Sequence, residues 1–194
     1  NQSMTAITSL PSGVSAKSLI LLATETASSS ATISFTSGID STYKEYVFRF
    51  YDIHPATDEQ SLSFQADTGT NTSYNQTMTS TVFFAQHAED DTTTELTYST
   101  GRDQAQGTSF QKITVDAGNA NDESVAGYLH LYDPSSTTFV KHFYAVSSSP
   151  TNGTHAANNY TAGYFNTTTA ITRVQFKMDS GNIDSGTFKL YGVS

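Results

Sequence analysis

The 194-residue chain has no cysteine and no tryptophan, and only four prolines. Without cysteine there can be no disulfide, no thiolate metal centre and no cysteine nucleophile. Without tryptophan, the broadest flat platform for a sugar ring is missing. Basic residues are scarce: nine Lys and Arg stand against 18 Asp and Glu, a formal net charge of −9. Nucleic-acid binding draws most of its affinity from a basic stripe that neutralises phosphates, and none is present. The same deficit disfavours an anionic membrane surface. The longest apolar run, Leu19–Ala23, is far below the ~20 residues that a spanning helix needs. No basic start followed by an extended apolar stretch marks a secretory signal. Met4 suits an initiator with Asn1–Ser3 ahead of it, or the chain is processed.

Hydroxyl groups dominate what is present. Ser and Thr make up about 29% of the residues, and eleven Tyr with twelve Phe supply all the aromatics. Thr, Tyr and Phe suit a pleated, half-buried surface, and strong helix formers are few. The length fits one all-β domain, which at this size buries roughly 70% of its unfolded surface without staples.

Periodicity agrees. Tyr43–His54, YKEYVFRFYDIH, puts Tyr46, Phe48 and Phe50 on one face and Val47, Arg49, Tyr51 and Ile53 on the other. Apolar residues on both faces predict a central strand, stopped at Pro55. The other expected strands are Lys17–Thr24, Ala31–Thr36, Ser61–Asp67, Thr81–Gln86, Leu96–Ser99 and Phe110–Val115. Val125–Tyr132, Thr138–Ser147, Tyr160–Asn166, Ile171–Met178 and Thr187–Val193 complete the set. Turn clusters such as DTGTN, AEDDTT, DPSS and DSGNIDSG separate them. Eleven or twelve short strands without any helical periodicity predict an antiparallel two-sheet sandwich, jelly-roll-like. Residues 1–194 read as one sandwich domain, with 1–16 as an extended N-terminal arm. The last two strands read as a hairpin closed by DSGNIDSG, with Val174, Phe176, Met178, Phe188 and Leu190 facing one core.

Candidate chemistry is thin. No two of His54, His87, His130, His142 and His155 have the short spacing of a local metal clamp, although His130 and His142 fall on neighbouring strands. Asp179, Asn182 and Asp184 could offer oxygens to calcium, but the same residues are what a β-turn requires, and turn chemistry is the preferred reading. The acidic run Glu89–Asp91 reads as a solvated loop. Asn1, Asn71, Asn75, Asn152, Asn159 and Asn166 match the glycosylation pattern, read as an accident of a hydroxyl-rich composition. No nucleophile elbow, phosphate-cradling glycine loop or placed carboxylate pair appears, so no catalytic residue and no cofactor is expected. Tyrosine is what remains. Tyr132 with Asp133, and Asn159 with Tyr160, would suit surface contact with sugars. The plainer reading has tyrosines filling the core with their hydroxyls at its rim.

Three stretches carry a resemblance: YKEYVFRFYDIHPATD (Tyr43–Asp58), SSTTFVKHF (Ser135–Phe143) and AGYFNTTTAITRVQFKMDSGNIDSGTFKLYGVS (Ala162–Ser194). They resemble virion structural proteins of tailed bacteriophages, particularly those of marine bacteria, and the likeness extends from about Ile7 to the last residue. The resemblance implies a non-enzymatic subunit on the virion exterior, made in the host cytoplasm, that decorates the head or forms part of a fibre. It implies partners among other virion proteins and copies of itself, a homotrimer by analogy with phage jelly rolls. A lectin-like module for host-surface glycans and a jelly-roll enzyme acting on polysaccharide are the alternatives.

Overall fold

The computed structural model describes residues 19–151 and 154–194; the expected arm at 1–16, and Asn1 and Asn152, lie outside them. The described residues form twelve strands: β1 (Leu19–Ser30), β2 (Ile33–Phe35), β3 (Glu45–Pro55), β4 (Leu62–Thr68), β5 (Met78–Ala88), β6 (Thr94–Tyr98), β7 (Gln111–Lys112), β8 (Val125–Tyr132), β9 (Lys141–Thr151), β10 (His155–Phe165), β11 (Ile171–Met178) and β12 (Ile183–Val193). They make an eight-stranded sheet in the order β1-β12-β3-β8-β9-β10-β5-β6 and a four-stranded sheet in the order β2-β11-β4-β7. Every pairing is antiparallel.

The connections make this a jelly roll. The chain crosses between sheets at every connection except β5–β6, β8–β9 and β9–β10, so that β1-β12-β3-β8 faces β2-β11-β4-β7, the interleaved order of a double Greek key. The β5–β6 and β9–β10 pairs are insertions that prolong the larger sheet beyond β8.

Phenylalanine fills the space between the sheets. Eight of the twelve, Phe35, Phe48, Phe50, Phe64, Phe143, Phe165, Phe176 and Phe188, are buried. Phe176 from the small sheet meets Phe188 at 5.1 Å and Phe48 at 5.6 Å, while Phe64 meets Phe143 at 5.1 Å. Edge-on and tilted rings at these separations gain beyond their area alone. Gly127 and Gly163 make room: a Cβ there would stand 2.7 Å from the Phe50 ring and 2.6 Å from the Phe143 ring, respectively.

Two sequence expectations are corrected. The closing strands do not form a hairpin: β11 pairs with β2 and β4, whereas β12 lies between β1 and β3. Asp179–Asn182 carries the chain from one sheet to the other, and the apolar sets still converge because the two strands face each other across the core. Ile53 points inward with Phe50, not outward with Tyr51. A bulge between Phe50 and Ile53, with Asp52 at φ 53°, inserts one residue and inverts the alternation. Both sides of β4 are buried. Leu62, Phe64 and Ala66 face the core, and loops cover the other side: Gln65 donates to the carbonyls of Gln76, Thr108 and Ser109, and Asp67 accepts from the Tyr74 amide.

Candidate functional site

The larger sheet has one covered face and one open face. On the open face, register sets side chains in rows. One row reads Tyr98, Phe83, Tyr160, Val146, Tyr128, Arg49, Lys189, Thr24 across all eight strands. The adjoining rows add Tyr144, His130, Val47, Tyr191 and Leu21 on one side, and Tyr164, His142, Glu45, Val193 and Leu19 beyond. Tyr132 continues the outermost row from β8, and Tyr51 stands beside Arg49 on β3. Eight of the eleven tyrosines therefore lie on this face. Tyr46 and Tyr74 are buried and Tyr43 packs against the core. The expectation that tyrosine mainly fills the core is corrected: phenylalanine takes the interior because it has no hydroxyl to satisfy there, and tyrosine takes the side where water can satisfy one.

Many of the exposed rings touch. Phe83 stacks on Tyr160 at 4.9 Å and 9°. Tyr128 packs edge-on against His130 at 5.2 Å, His130 stacks near Tyr132 at 6.0 Å, and Tyr128 lies 6.4 Å from Tyr144. His130 Nδ1 pairs with Glu45. Partial burial raises the pKa of Tyr132, helped by the Glu45 charge, and that of Tyr144, helped by Tyr128 and Tyr160. A shallow depression of about 290 Å³ is lined by Leu19, Glu45, Val47, Arg49, Tyr128, His130 and Val193.

Charge is distributed unevenly. Among the paired strand residues whose side chains share this face, Glu45 is the one carboxylate, and Asp52 sits at the bulge beyond Tyr51. Arg49 lies 5.6 Å over the Tyr191 ring and Lys189 5.8 Å over the Tyr51 ring. Alternation along each strand puts Arg49 on one face with Tyr51, and Lys189 on one face with Tyr191, each pair two residues apart. Local alternation carries no sign that β3 and β12, some 140 residues apart in the chain, lie side by side.

The residues singled out from sequence are only partly brought together. Tyr132 and Tyr160 both lie on the open face but at different levels, Tyr160 in the row of Tyr128 and Tyr132 four residues beyond. Asp133 closes the end of β8, with φ 40°, and pairs with Lys44 at 2.9 Å. Asn159 is corrected from surface to interior: it is 1% exposed and donates to the Ile113 carbonyl and the Thr161 hydroxyl. Its place on β10, one residue from Tyr160, turns it to the covered face. His130 and His142 share the open face but take separate partners, Glu45 and the Tyr164 ring.

Asp179, Asn182 and Asp184 are divided as well. Asp179 accepts from Ser63 and pairs with Lys112 at 2.6 Å, Asn182 donates to the Ser29 carbonyl, and Asp184 lies 3.9 Å from His54. Among the described residues, no three His, Asp or Glu side chains gather to hold a metal ion.

Fold and surface together define a jelly-roll sandwich with an extended aromatic face. No protein-family model matches the chain, and no curated protein or solved structure shows significant similarity to it.

Proposed function

We propose that the protein is a non-enzymatic structural subunit of the exterior of a tailed-phage virion, and that the open face of the larger sheet is its contact surface. The observation that carries the reading is that face: eight tyrosines, with Leu19, Leu21, Phe83 and Leu96 exposed beside them, in a strongly acidic chain that places a single carboxylate, Glu45, among the paired strand residues there. Contiguous exposed apolar area on a folded domain marks an interaction site. Tyrosine suits one, since it offers large contact area at little rotamer cost. The resemblance of Tyr43–Asp58, Ser135–Phe143 and Ala162–Ser194 to virion proteins supplies the setting, and a two-layer slab with a phenylalanine core supplies the rigidity a particle component needs.

Under this reading the face meets either a neighbouring virion subunit, including another copy in a homotrimer, or a glycan on the host surface. The glycan reading is favoured by the mixture of rings with hydroxyl, amide and imidazole groups, such as Tyr160 held by Asn158 at 3.0 Å. Antibodies raised against the purified chain should label the exterior of intact particles in electron micrographs, and light scattering should report an oligomer. A monomer at working concentration, together with unlabelled particles, would overturn the proposal.

A further inference from the structure

The cations of the open face are arranged at a cost. Arg49 and Lys189 are directly opposite each other in the β3–β12 register. Like charges at that separation oppose strand pairing. The chain has twice as many acidic as basic residues, yet neither cation has a carboxylate partner among the described residues. Instead each leans over the ring diagonal to it, Arg49 over Tyr191 and Lys189 over Tyr51. The result is a basic-aromatic tetrad whose two cations contact ring faces and make no ion pair among the described residues, and cation–π contact at an exposed site is weak compensation.

We infer that the tetrad binds the anionic group of an acidic polysaccharide. The inference rests on the open face being the contact surface and names the ligand that it takes. Arg49 supplies a planar fork that matches carboxylate or sulfate, and Lys189 a second point charge. Tyr51, Tyr128 and Tyr191 supply ring surface for the carbon-bound hydrogens of the sugar. The row does not end at the tetrad: it runs on through Tyr128, Val146, Tyr160 and Phe83 to Tyr98, whose hydroxyl donates to Asp103, six strand spacings or about 29 Å from Lys189. A site of that length, cationic at one end and aromatic at four of the five further positions, fits a chain-like ligand.

Other anionic partners fit less well. Two copies meeting face to face about a two-fold axis would bring four cations together. Two cations alone would release about two counterions from a nucleic acid, too few for substantial affinity.

The test is calorimetric titration of the full chain with alginate (carboxylate), dextran sulfate (sulfate) and neutral dextran, with polyaspartate and single-stranded DNA as non-saccharide anions. At least one acidic polysaccharide should bind at least about tenfold more tightly than neutral dextran, and Arg49→Gln with Lys189→Gln should remove that margin. The same double variant should melt at the wild-type temperature or higher, because it relieves the opposed charges. The charge-keeping swap Arg49→Lys with Lys189→Arg should retain part of the binding. No preference over neutral dextran, equal binding of polyaspartate or DNA, or an unaffected double variant would each overturn the inference. Particle incorporation of the double variant separates the two levels. If incorporation is lost and no polysaccharide binds, the face stands as a protein contact and the glycan is wrong. If incorporation and titration are both unchanged, neither holds.

Discussion

The two faces of the eight-stranded sheet are built from the same strands and differ by one residue of phase. On β3, Tyr46, Phe48 and Phe50 are wholly buried, while Arg49 and Tyr51 between and beside them are exposed. The inner face is hydrocarbon over β12, β3 and β8 and turns polar on β9 and β10, where Ser147, Ser149, Asn159 and Thr161 are buried; the outer face is as aromatic but carries hydroxyls and two cations without an ion-pair partner among the described residues. Aromatic content therefore does not distinguish the core from the open face in this protein. What distinguishes them is whether each ring carries a polar atom, and where that atom can be satisfied.

Substitutions should separate the faces most sharply at their largest rings. Phe176→Ala removes the ring shared by Phe48, Phe64 and Phe188 and should cost about 3–5 kcal/mol in denaturant melts. Tyr128→Ala on the open face should cost under about 1 kcal/mol, and Gln175→Ala, which loses one bond to Ser34, about 0.5–1 kcal/mol. Equal midpoints for Phe176→Ala and Tyr128→Ala would erase the comparison.

Packing beneath the rings is the next level. In Gly163→Ala the new methyl would lie 2.5 Å from the Thr79 carbonyl oxygen and 2.6 Å from the Phe143 ring, and the overpacking should cost about 1–3 kcal/mol by the same melts.

Tyr46 tests the hydroxyl rule from inside. Its buried hydroxyl accepts from the Asp40 amide and donates to Asp40, so Tyr46→Phe should cost about 1–2 kcal/mol, whereas Tyr144→Phe should be nearly silent. Burial raises the Tyr46 pKa above its ordinary value of 10.0. A raised acid stabilises the fold fully below the unfolded pKa and loses that contribution as pH climbs past it. Stability should therefore hold to about pH 10 and fall above it, and Tyr46→Phe should flatten that fall. Thermal melts from pH 8 to 11.5 check the sign; a wild type that gains stability above pH 10 would reverse it.

The smallest expected effect is that of chelation. Because Asp179, Asn182 and Asp184 serve Lys112, Ser29 and His54 separately, EDTA should leave the melting temperature unchanged.

Much of the fold was legible from the chain. Each of the twelve strands overlaps an expected one, since period-2 burial is written locally in segments such as Ile171–Met178, although β1 runs on past Thr24 to Ser30 and β12 begins at Ile183, inside the expected DSGNIDSG turn. The boundaries fared worse at β9 and β10, which run through Ser147, Ser149, Asn159 and Thr161. Those residues face inward yet are polar, because the segment before β8 lies beneath them and accepts their hydrogen bonds, as the Ile113 carbonyl does from Ser147 and Asn159. No local pattern announces a polar interior.

Sequence alone determined the class, the strands and the alternation that sets Arg49 beside Tyr51 and Lys189 beside Tyr191, because those depend on neighbours one or two residues away. Only the tertiary structure decided that β11 and β12 belong to different sheets, that Asn159 turns inward, and that Arg49 meets Lys189. Strand order is set by which distant faces bury best against one another, a choice made by the whole core and not by any one segment.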